Sequence, residues 1–115
     1  MGPADMGKGA KEAGQWIDAG APGDLGDGQT LSIAVGRRMI AVARSGDAYF
    51  AIEDICTHDG AALTGGAIEG TEIICPRHGA RFCLRTGEAL TPPAYEPVRV
   101  FETKIEGGHL WVRAD

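Results

Sequence analysis

The chain has 115 residues, of which 43% are hydrophobic and 23% charged, a composition typical of one small globular domain. Its net charge of −5 argues against nucleic acid and anionic membranes as partners, because both attract basic surfaces. Three cysteines, an odd number, and the lack of any signal-like or membrane-spanning apolar run indicate a cytoplasmic protein without a disulfide framework.

The N-terminal residues 1–14 are rich in Gly, Ala and Lys, and their few apolar residues follow no period. We predict a disordered tail here, because such a segment buries too little apolar surface to offset the entropy lost on ordering. Order is expected to begin near Trp16-Ile17, the first bulky apolar pair. Residues 15–115 are predicted to form one domain.

Two stretches of the chain alternate in the manner of β-strands. Between Thr30 and Ile55, β-branched and aromatic residues recur at every second position, interrupted at Gly36-Arg37 and at Ser45-Gly46-Asp47. The pattern repeats in one run from Val98 to Ile105, which is followed by a Gly107-Gly108 turn and a second run from Leu110 to Val112. Alternating runs split by Gly-containing turns are typical of antiparallel hairpins. The sequence therefore predicts an all-β fold.

The segment between these stretches, residues 56–94, is rich in glycine and contains all of the cysteines and two of the three histidines. Two ligand pairs stand out, Cys56-Thr57-His58 and Cys75-Pro76-Arg77-His78, with 16 residues between them. Each pair joins a thiolate to an imidazole, and both are good ligands for iron or zinc. Gly79 follows the second pair and permits a sharp turn there. A metal site is therefore predicted in this segment.

The residues around the ligand pairs resemble those of a known family. Cys-Thr-His-Asp-Gly at 56–60 and Cys-Pro-Arg-His-Gly-Ala-Arg-Phe at 75–82 closely resemble the two cluster loops of Rieske proteins. Residues 85–88 and 92–94 resemble the family's continuation and its proline-containing third loop. The similarity extends from about Trp16 to the C-terminus.

The resemblance implies the Rieske fold. In this fold an antiparallel β-sandwich or barrel base, here residues 15–54 and 95–113, carries an inserted loop-rich cluster-binding subdomain at about residues 55–94. It also implies one [2Fe–2S] cluster per chain.

The resemblance also implies which residue holds which iron. Cys56 and Cys75 would bind one iron, and His58 and His78 the other. With neutral imidazoles the oxidised core has no net charge, so it accepts an electron more readily than an all-cysteine cluster. The alternative is a structural Cys₂His₂ zinc site, but the Cys-x₂₋₄-Cys and His-x₃₋₅-His spacings that favour zinc are lacking.

Four positions suggest a low reduction potential. High-potential Rieske proteins have an additional disulfide between the two loops, and Ala61 and Arg77 stand at the corresponding positions here. Those proteins also have a serine and a tyrosine that donate to cluster sulfur, where this chain has Ala80 and Phe82. Fewer hydrogen bonds to sulfur stabilise the reduced state less. We therefore expect a midpoint potential of about −150 mV.

The family resemblance implies a soluble ferredoxin. Such a protein carries single electrons from a flavoprotein reductase to the terminal oxygenase of an aromatic-ring-hydroxylating system, with His58 and His78 as the exit point. The chain is not expected to be the oxygenase itself, because His109 alone remains for the two-histidine, one-carboxylate iron site of that enzyme. Two alternative functions remain open: the chain serves iron–sulfur assembly, or it is a subunit of another oxidoreductase.

Several residues near the ligand pairs have an ordinary interpretation as well as a functional one. Cys83 is expected to be a partly buried spare cysteine, although a redox-sensing thiol is the alternative. Glu53, Asp54 and Asp59 are expected to be solvated charges, with an acidic docking rim as the alternative. Arg81 pairs either with local carboxylates or with a partner protein.

Overall fold

The computed structural model describes residues 15–57 and 60–114. The predicted disordered tail, residues 1–14, lies outside the described residues. The only helical element of the described residues is a short 3₁₀ turn. None of the described residues form a helix long and apolar enough to cross a membrane. The strands are β1 (Trp16–Asp18), β2 (Thr30–Val35), β3 (Arg38–Ser45), β4 (Ala48–Glu53), β5 (Ile68–Glu69), β6 (Glu72–Ile74), β7 (Arg81–Cys83), β8 (Val100–Phe101), β9 (Thr103–Glu106) and β10 (His109–Arg113).

The strands form three antiparallel sheets, which confirms the all-β prediction. The first has the order β1-β10-β9, the second β2-β3-β4-β8 and the third β5-β6-β7. The first two sheets are built from both ends of the chain. The third lies entirely between β4 and β8 in the sequence, and it carries the segment in which the metal site was predicted.

The β2-β3-β4 meander follows from its turns. Two residues separate β2 from β3 and two separate β3 from β4, and each turn contains a glycine with positive φ, Gly36 (64°) and Gly46 (61°). Glycine adopts this left-handed conformation without the steric penalty that a Cβ introduces. Both predicted turns are confirmed.

Strand β3 is buried on both faces. Ile40 and Val42 contact an apolar cluster shared with Leu110 and Val112 of the first sheet. Ala41 and Ala43 point to the opposite face, into a second cluster that includes both cysteines of the predicted ligand pairs. Alternate residues of a strand face opposite sides of the sheet, so one strand contributes to both clusters. The small alanine side chains let the inserted segment approach the sheet closely.

The C-terminal alternation contains one feature that the sequence did not reveal. Residues 98–105 were interpreted as a single strand, but β8 pairs with β4 in the second sheet, whereas β9 pairs with β10 in the first. Glu102 separates the two strands, and its carbonyl accepts a hydrogen bond from the Arg113 N–H at 2.9 Å. The prediction of one strand was wrong because alternation does not show a change of pairing partner.

The third sheet was also not predicted. Its strands are two or three residues long, too short to produce a recognisable period. Ile73 of β6 lies opposite Phe82 of β7, and both side chains are fully buried. This apolar pair fixes β6 and β7 as the two sides of the loop that contains Cys75 and His78.

Candidate metal centre

The two candidate cysteine ligands lie inside the protein. Cys56 follows β4 and Cys75 follows β6, and each is only 1% exposed. Both belong to the apolar cluster that also contains Leu63 and Phe82. No disulfide joins any of Cys56, Cys75 and Cys83. Two buried thiols without a bond between them are suited to binding a metal from two separate loops.

The backbone hydrogen bonds of the two loops match one another. The Cys56 N–H donates to the Ala61 carbonyl at 2.6 Å, and the Gly60 N–H donates to the Cys56 carbonyl at 2.7 Å. In the second loop the Cys75 N–H donates to the Ala80 carbonyl at 2.7 Å, and the Gly79 N–H donates to the Cys75 carbonyl at 3.0 Å.

The glycine of each loop explains this match. Gly60 has φ 79° and Gly79 has φ 77°, and each stands four residues after its cysteine. A left-handed glycine at this place reverses the chain and brings the next carbonyl to the cysteine N–H. The predicted sharp turn at Gly79 is confirmed, and Gly60 makes the same turn in the first loop. The sequence motif thus specifies two loops of similar backbone conformation, each with a buried cysteine.

His78, the candidate histidine ligand among the described residues, differs from the cysteines. His78 is exposed, as are its neighbours Pro76 and Arg77. His58 and Asp59 lie outside the described residues, so two predicted features of the first loop are not described. Within the second loop, the thiol faces the core and the imidazole lies at the surface.

No three His, Cys, Asp or Glu side chains within residues 15–57 and 60–114 converge to hold one metal ion. The predicted arrangement does not need such a group among these residues. It divides four ligands between two irons, with the cysteine pair on one iron, and His78 is the only described member of the other pair. The donor chemistry of two buried thiols and a surface imidazole fits a [2Fe–2S] cluster.

The third loop lies against the first. The Thr57 hydroxyl donates to the Glu96 carbonyl at 2.7 Å, which joins the first ligand loop to the segment after Pro92-Pro93. Tyr95 in this segment is 80% exposed, the most exposed of the large hydrophobic residues in the described chain. An aromatic surface residue therefore lies one position before the residue that contacts the first ligand loop.

Two of the four positions that distinguish high-potential relatives, Ala80 and Phe82, are buried here and have no hydroxyl group. Ala80 and Phe82 are fully inaccessible to solvent. The low potential stays a prediction, and these two buried side chains are the places to test it.

Asp54 corrects the interpretation of the acidic residues. It is 9% exposed, so the expectation of a solvated charge, and the alternative of a docking rim, are wrong for this residue. Burial acts to raise the pKa of Asp54, but hydrogen bonds from Thr64, Ser32 and Leu63 outweigh it and hold the pKa below its ordinary value. The carboxylate is therefore an internal hydrogen-bond acceptor.

The sequence contained a signal for the position of Asp54. Phe50 and Ile52 of β4 face the apolar cluster that includes Cys56, and the period of two continues to residue 54. Asp54 therefore falls on the inward face of the strand. The register of β4 thus indicates that Asp54 is buried, whereas its charge alone suggests a solvated residue.

The other candidate residues have local partners. Arg81 pairs with Glu69 at 2.9 Å and with Glu72 at 3.2 Å, which raises the pKa of the guanidinium and confirms the local alternative. Cys83 is partly buried, as expected, and a hydrogen bond from Thr86 lowers the pKa of its thiol against the opposing effect of burial. His109 is in β10, where its Nδ1 lies 3.0 Å from Asp18 Oδ1.

Comparison with known proteins is consistent with this geometry. Residues 15–102 match the family model of the Rieske [2Fe-2S] domain. The chain is 40% identical over 90 residues to the biphenyl 2,3-dioxygenase ferredoxin component of Rhodococcus jostii (strain RHA1), covering 78% of this chain and 84% of that protein. It is 34% identical over 98 residues to the ferredoxin component of the naphthalene 1,2-dioxygenase system of Pseudomonas aeruginosa, covering 85% and 94%.

A solved structure gives the same result. A chain in the complex of reduced oxygenase and oxidized ferredoxin in carbazole 1,9a-dioxygenase superposes with a TM-score of 0.81 at 36% identity, covering 85% of this chain and 92% of that one.

The chain belongs to the Rieske [2Fe–2S] family. Within that family it is a ferredoxin, an electron carrier with a [2Fe–2S] cluster and not itself a catalytic enzyme.

Proposed function

We propose that this ferredoxin is the electron-carrying component of an aromatic-ring-hydroxylating dioxygenase system. It accepts single electrons from a flavoprotein reductase and passes them to a terminal oxygenase in the cytoplasm. The relatives named for biphenyl and naphthalene dioxygenase systems support this assignment, because the alignments cover 84% and 94% of their lengths. The complex in carbazole 1,9a-dioxygenase supports an oxygenase as the acceptor.

The observation that carries the proposal is the pair of matched ligand loops. Each loop buries one cysteine at 1% exposure and turns at a left-handed glycine four residues later. We assign Cys56 and Cys75 to one iron, and His58 and His78 to the other. When bound, the cluster supplies reversible one-electron chemistry at a potential that the two histidines raise above that of an all-cysteine centre.

The protein residues determine where an electron can leave. Cys56 and Cys75 are enclosed by apolar side chains, which keep water from the thiolate side of the site. His78 is exposed, so a partner can approach the imidazole side closely. Electron transfer therefore requires docking at the surface formed by the two ligand loops and the third loop. No side chain needs to act as an acid, base or nucleophile.

The experiment is reconstitution with a flavoprotein reductase and candidate oxygenases, which differ in their aromatic substrates. The wild-type ferredoxin should support turnover, whereas His78→Ala should not, because it removes an iron ligand. His109→Ala is the matched control and should support normal turnover, since His109 lies on β10 with Asp18 as its partner. A wild-type protein that contains the cluster but reduces none of the oxygenases would contradict the proposal.

A further inference from the structure

We propose that Asp54 is a positioning residue that closes the first ligand loop and fixes Cys56 relative to Cys75. The proposal rests on the ligand assignment made above. Asp54 is 9% exposed, and its carboxylate accepts hydrogen bonds from both sides of the first ligand loop.

The carboxylate connects the two ends of the loop. Asp54 Oδ1 accepts hydrogen bonds from the Leu63 N–H at 2.7 Å and from the Thr64 N–H at 2.8 Å. Its Oδ2 accepts from the Thr64 hydroxyl at 2.6 Å. Residue 54 precedes Cys56 by two positions, and residues 63 and 64 follow the loop. The side chain thus holds together the segments that enter and leave the first ligand loop.

The same carboxylate attaches this loop to the β base. Oδ2 also accepts from the Ser32 hydroxyl of β2 at 2.8 Å, and the Asp54 N–H donates to the Met39 carbonyl of β3 at 2.9 Å. Four donors therefore converge on one side chain from β2 and from the segment after the loop. The two oxygens of a carboxylate have enough acceptor positions for all four donors.

A short connection extends from the residues bound by Asp54 to the second ligand loop. The Gly66 N–H donates to the Leu63 carbonyl at 3.0 Å, and a Cβ on Gly66 would overlap the carbonyl oxygen of Ile74. The Ile74 N–H donates to the Ala67 carbonyl at 2.9 Å. Because Ile74 directly precedes Cys75, the position of residues 63–67 sets the position of the second loop.

Two substitutions separate hydrogen bonding from simple loss of the side chain. In Asp54→Asn the amide oxygen can still accept from Leu63 and Thr64, and its NH₂ can donate to the hydroxyls of Ser32 and Thr64, each of which can also accept. In Asp54→Ala all four donors lose their acceptor, and the buried N–H groups become unsatisfied. The asparagine variant should therefore rescue what the alanine variant loses.

The experiment measures cluster loss from anaerobically purified ferredoxin as the decay of visible absorbance, together with the EPR spectrum of the reduced protein and hydrogen exchange of residues 63–64. Asp54→Ala should lose the cluster about tenfold faster or more, because a buried donor left without an acceptor changes an equilibrium by about that factor. Its EPR line positions should shift, and residues 63–64 should exchange faster. Asp54→Asn should remain within about threefold of wild type.

Single-donor variants keep the test decisive if Asp54→Ala does not fold. Thr64→Val and Ser32→Ala each remove one hydroxyl and should show intermediate rates of cluster loss. Asp18→Asn is the control, since that carboxylate lies on β1 and receives the Gly20 N–H. Asp18→Asn should lose the cluster at the wild-type rate even if the substitution lowers the melting temperature.

Two results would overturn the proposal. One is a normal cluster lifetime and unchanged EPR spectrum in Asp54→Ala, or in both single-donor variants if it does not fold. The other is an asparagine variant as labile as the alanine variant. A wild-type protein that binds no cluster would instead contradict the proposed function.

Discussion

Cys75 and His78 are three residues apart, yet one is buried in the core and the other lies at the surface. The backbone turn at Gly79 produces this difference, and the described part of the first loop has the same left-handed turn at Gly60. At the scale of single residues, the site therefore separates an apolar thiolate side from an accessible imidazole side. Asp54 adds an internal carboxylate whose position followed from strand register but not from charge.

The cysteines give a direct test of this separation. Cys75→Ser should abolish the cluster, because a serine hydroxyl is a poor replacement for a soft thiolate ligand. Cys83→Ser should retain the full iron and sulfide content and the visible spectrum, since Cys83 lies on β7 with Thr86 as its partner. Iron analysis and absorbance of both variants provide the measurement. Loss of the cluster in Cys83→Ser with retention in Cys75→Ser would reverse the assignment.

The buried ring of Phe82 gives a test of the potential. Phe82→Tyr adds a hydroxyl at the position where high-potential relatives donate to cluster sulfur, so the reduced state should be stabilised. We expect the midpoint potential to rise by roughly 60 mV or more, the one-electron equivalent of a hydrogen bond to a charged group. Phe50→Tyr, at a partly buried position packed against the same apolar cluster, is the control and should change the potential little. An equal shift in both variants would argue against a specific hydrogen bond.

At the scale of elements, the long strands were predictable and the short ones were not. β2, β3 and β4 alternate over six to eight residues and are separated by glycine turns. The hydrophobic period and the turn residues therefore predict the same strands. β5 to β7 are held by tertiary packing of Ile73 on Phe82, which a window of two or three residues does not reveal. The ligand motif nevertheless located the site, because its glycines and cysteines define the loops locally.

Two neighbouring glycines test how closely the elements around the site pack. Gly66→Ala should destabilise the protein by about 2–3 kcal/mol, because its Cβ meets the rigid backbone carbonyls of Ile74 and Leu63. Gly65→Ala, with open space around its Cβ but φ 94°, should lose only about 1 kcal/mol from backbone strain. Chemical denaturation of both variants measures the difference. Equal stability losses would show that the close approach is not rigid.

At the scale of the whole molecule, β3 lies between two apolar clusters and makes the base and the inserted segment one packed unit. Ile40 and Val42 serve one cluster, and Ala41 and Ala43 serve the other. The proposed cysteine ligands are thus packed against the same strand that organises the base. We expect the surface formed by the three loops to face the electron acceptor, and Tyr95 is an exposed aromatic residue in its described part.

Tyr95 should contribute to docking of the electron acceptor. Tyr95→Ala should raise the KM of the oxygenase for the ferredoxin by about tenfold, since exposed aromatic residues near the centre of an interface dominate binding energy. The visible spectrum and the potential should not change. Ile105→Ala is the matched control, because Ile105 is 55% exposed but lies on β9 of the first sheet. A larger effect of Ile105→Ala would place the docking surface elsewhere.

The most direct measurement of the central claim is pulsed EPR of the reduced ferredoxin labelled with ¹⁵N-histidine. The proposed ligand set predicts coupling of two histidine nitrogens to the reduced cluster, together with two irons and two sulfides per chain. His78→Ala should abolish this signature, whereas His109→Ala should leave it unchanged. A reduced cluster without histidine coupling, or a colourless protein that retains zinc after anaerobic reconstitution with iron and sulfide, would contradict the account.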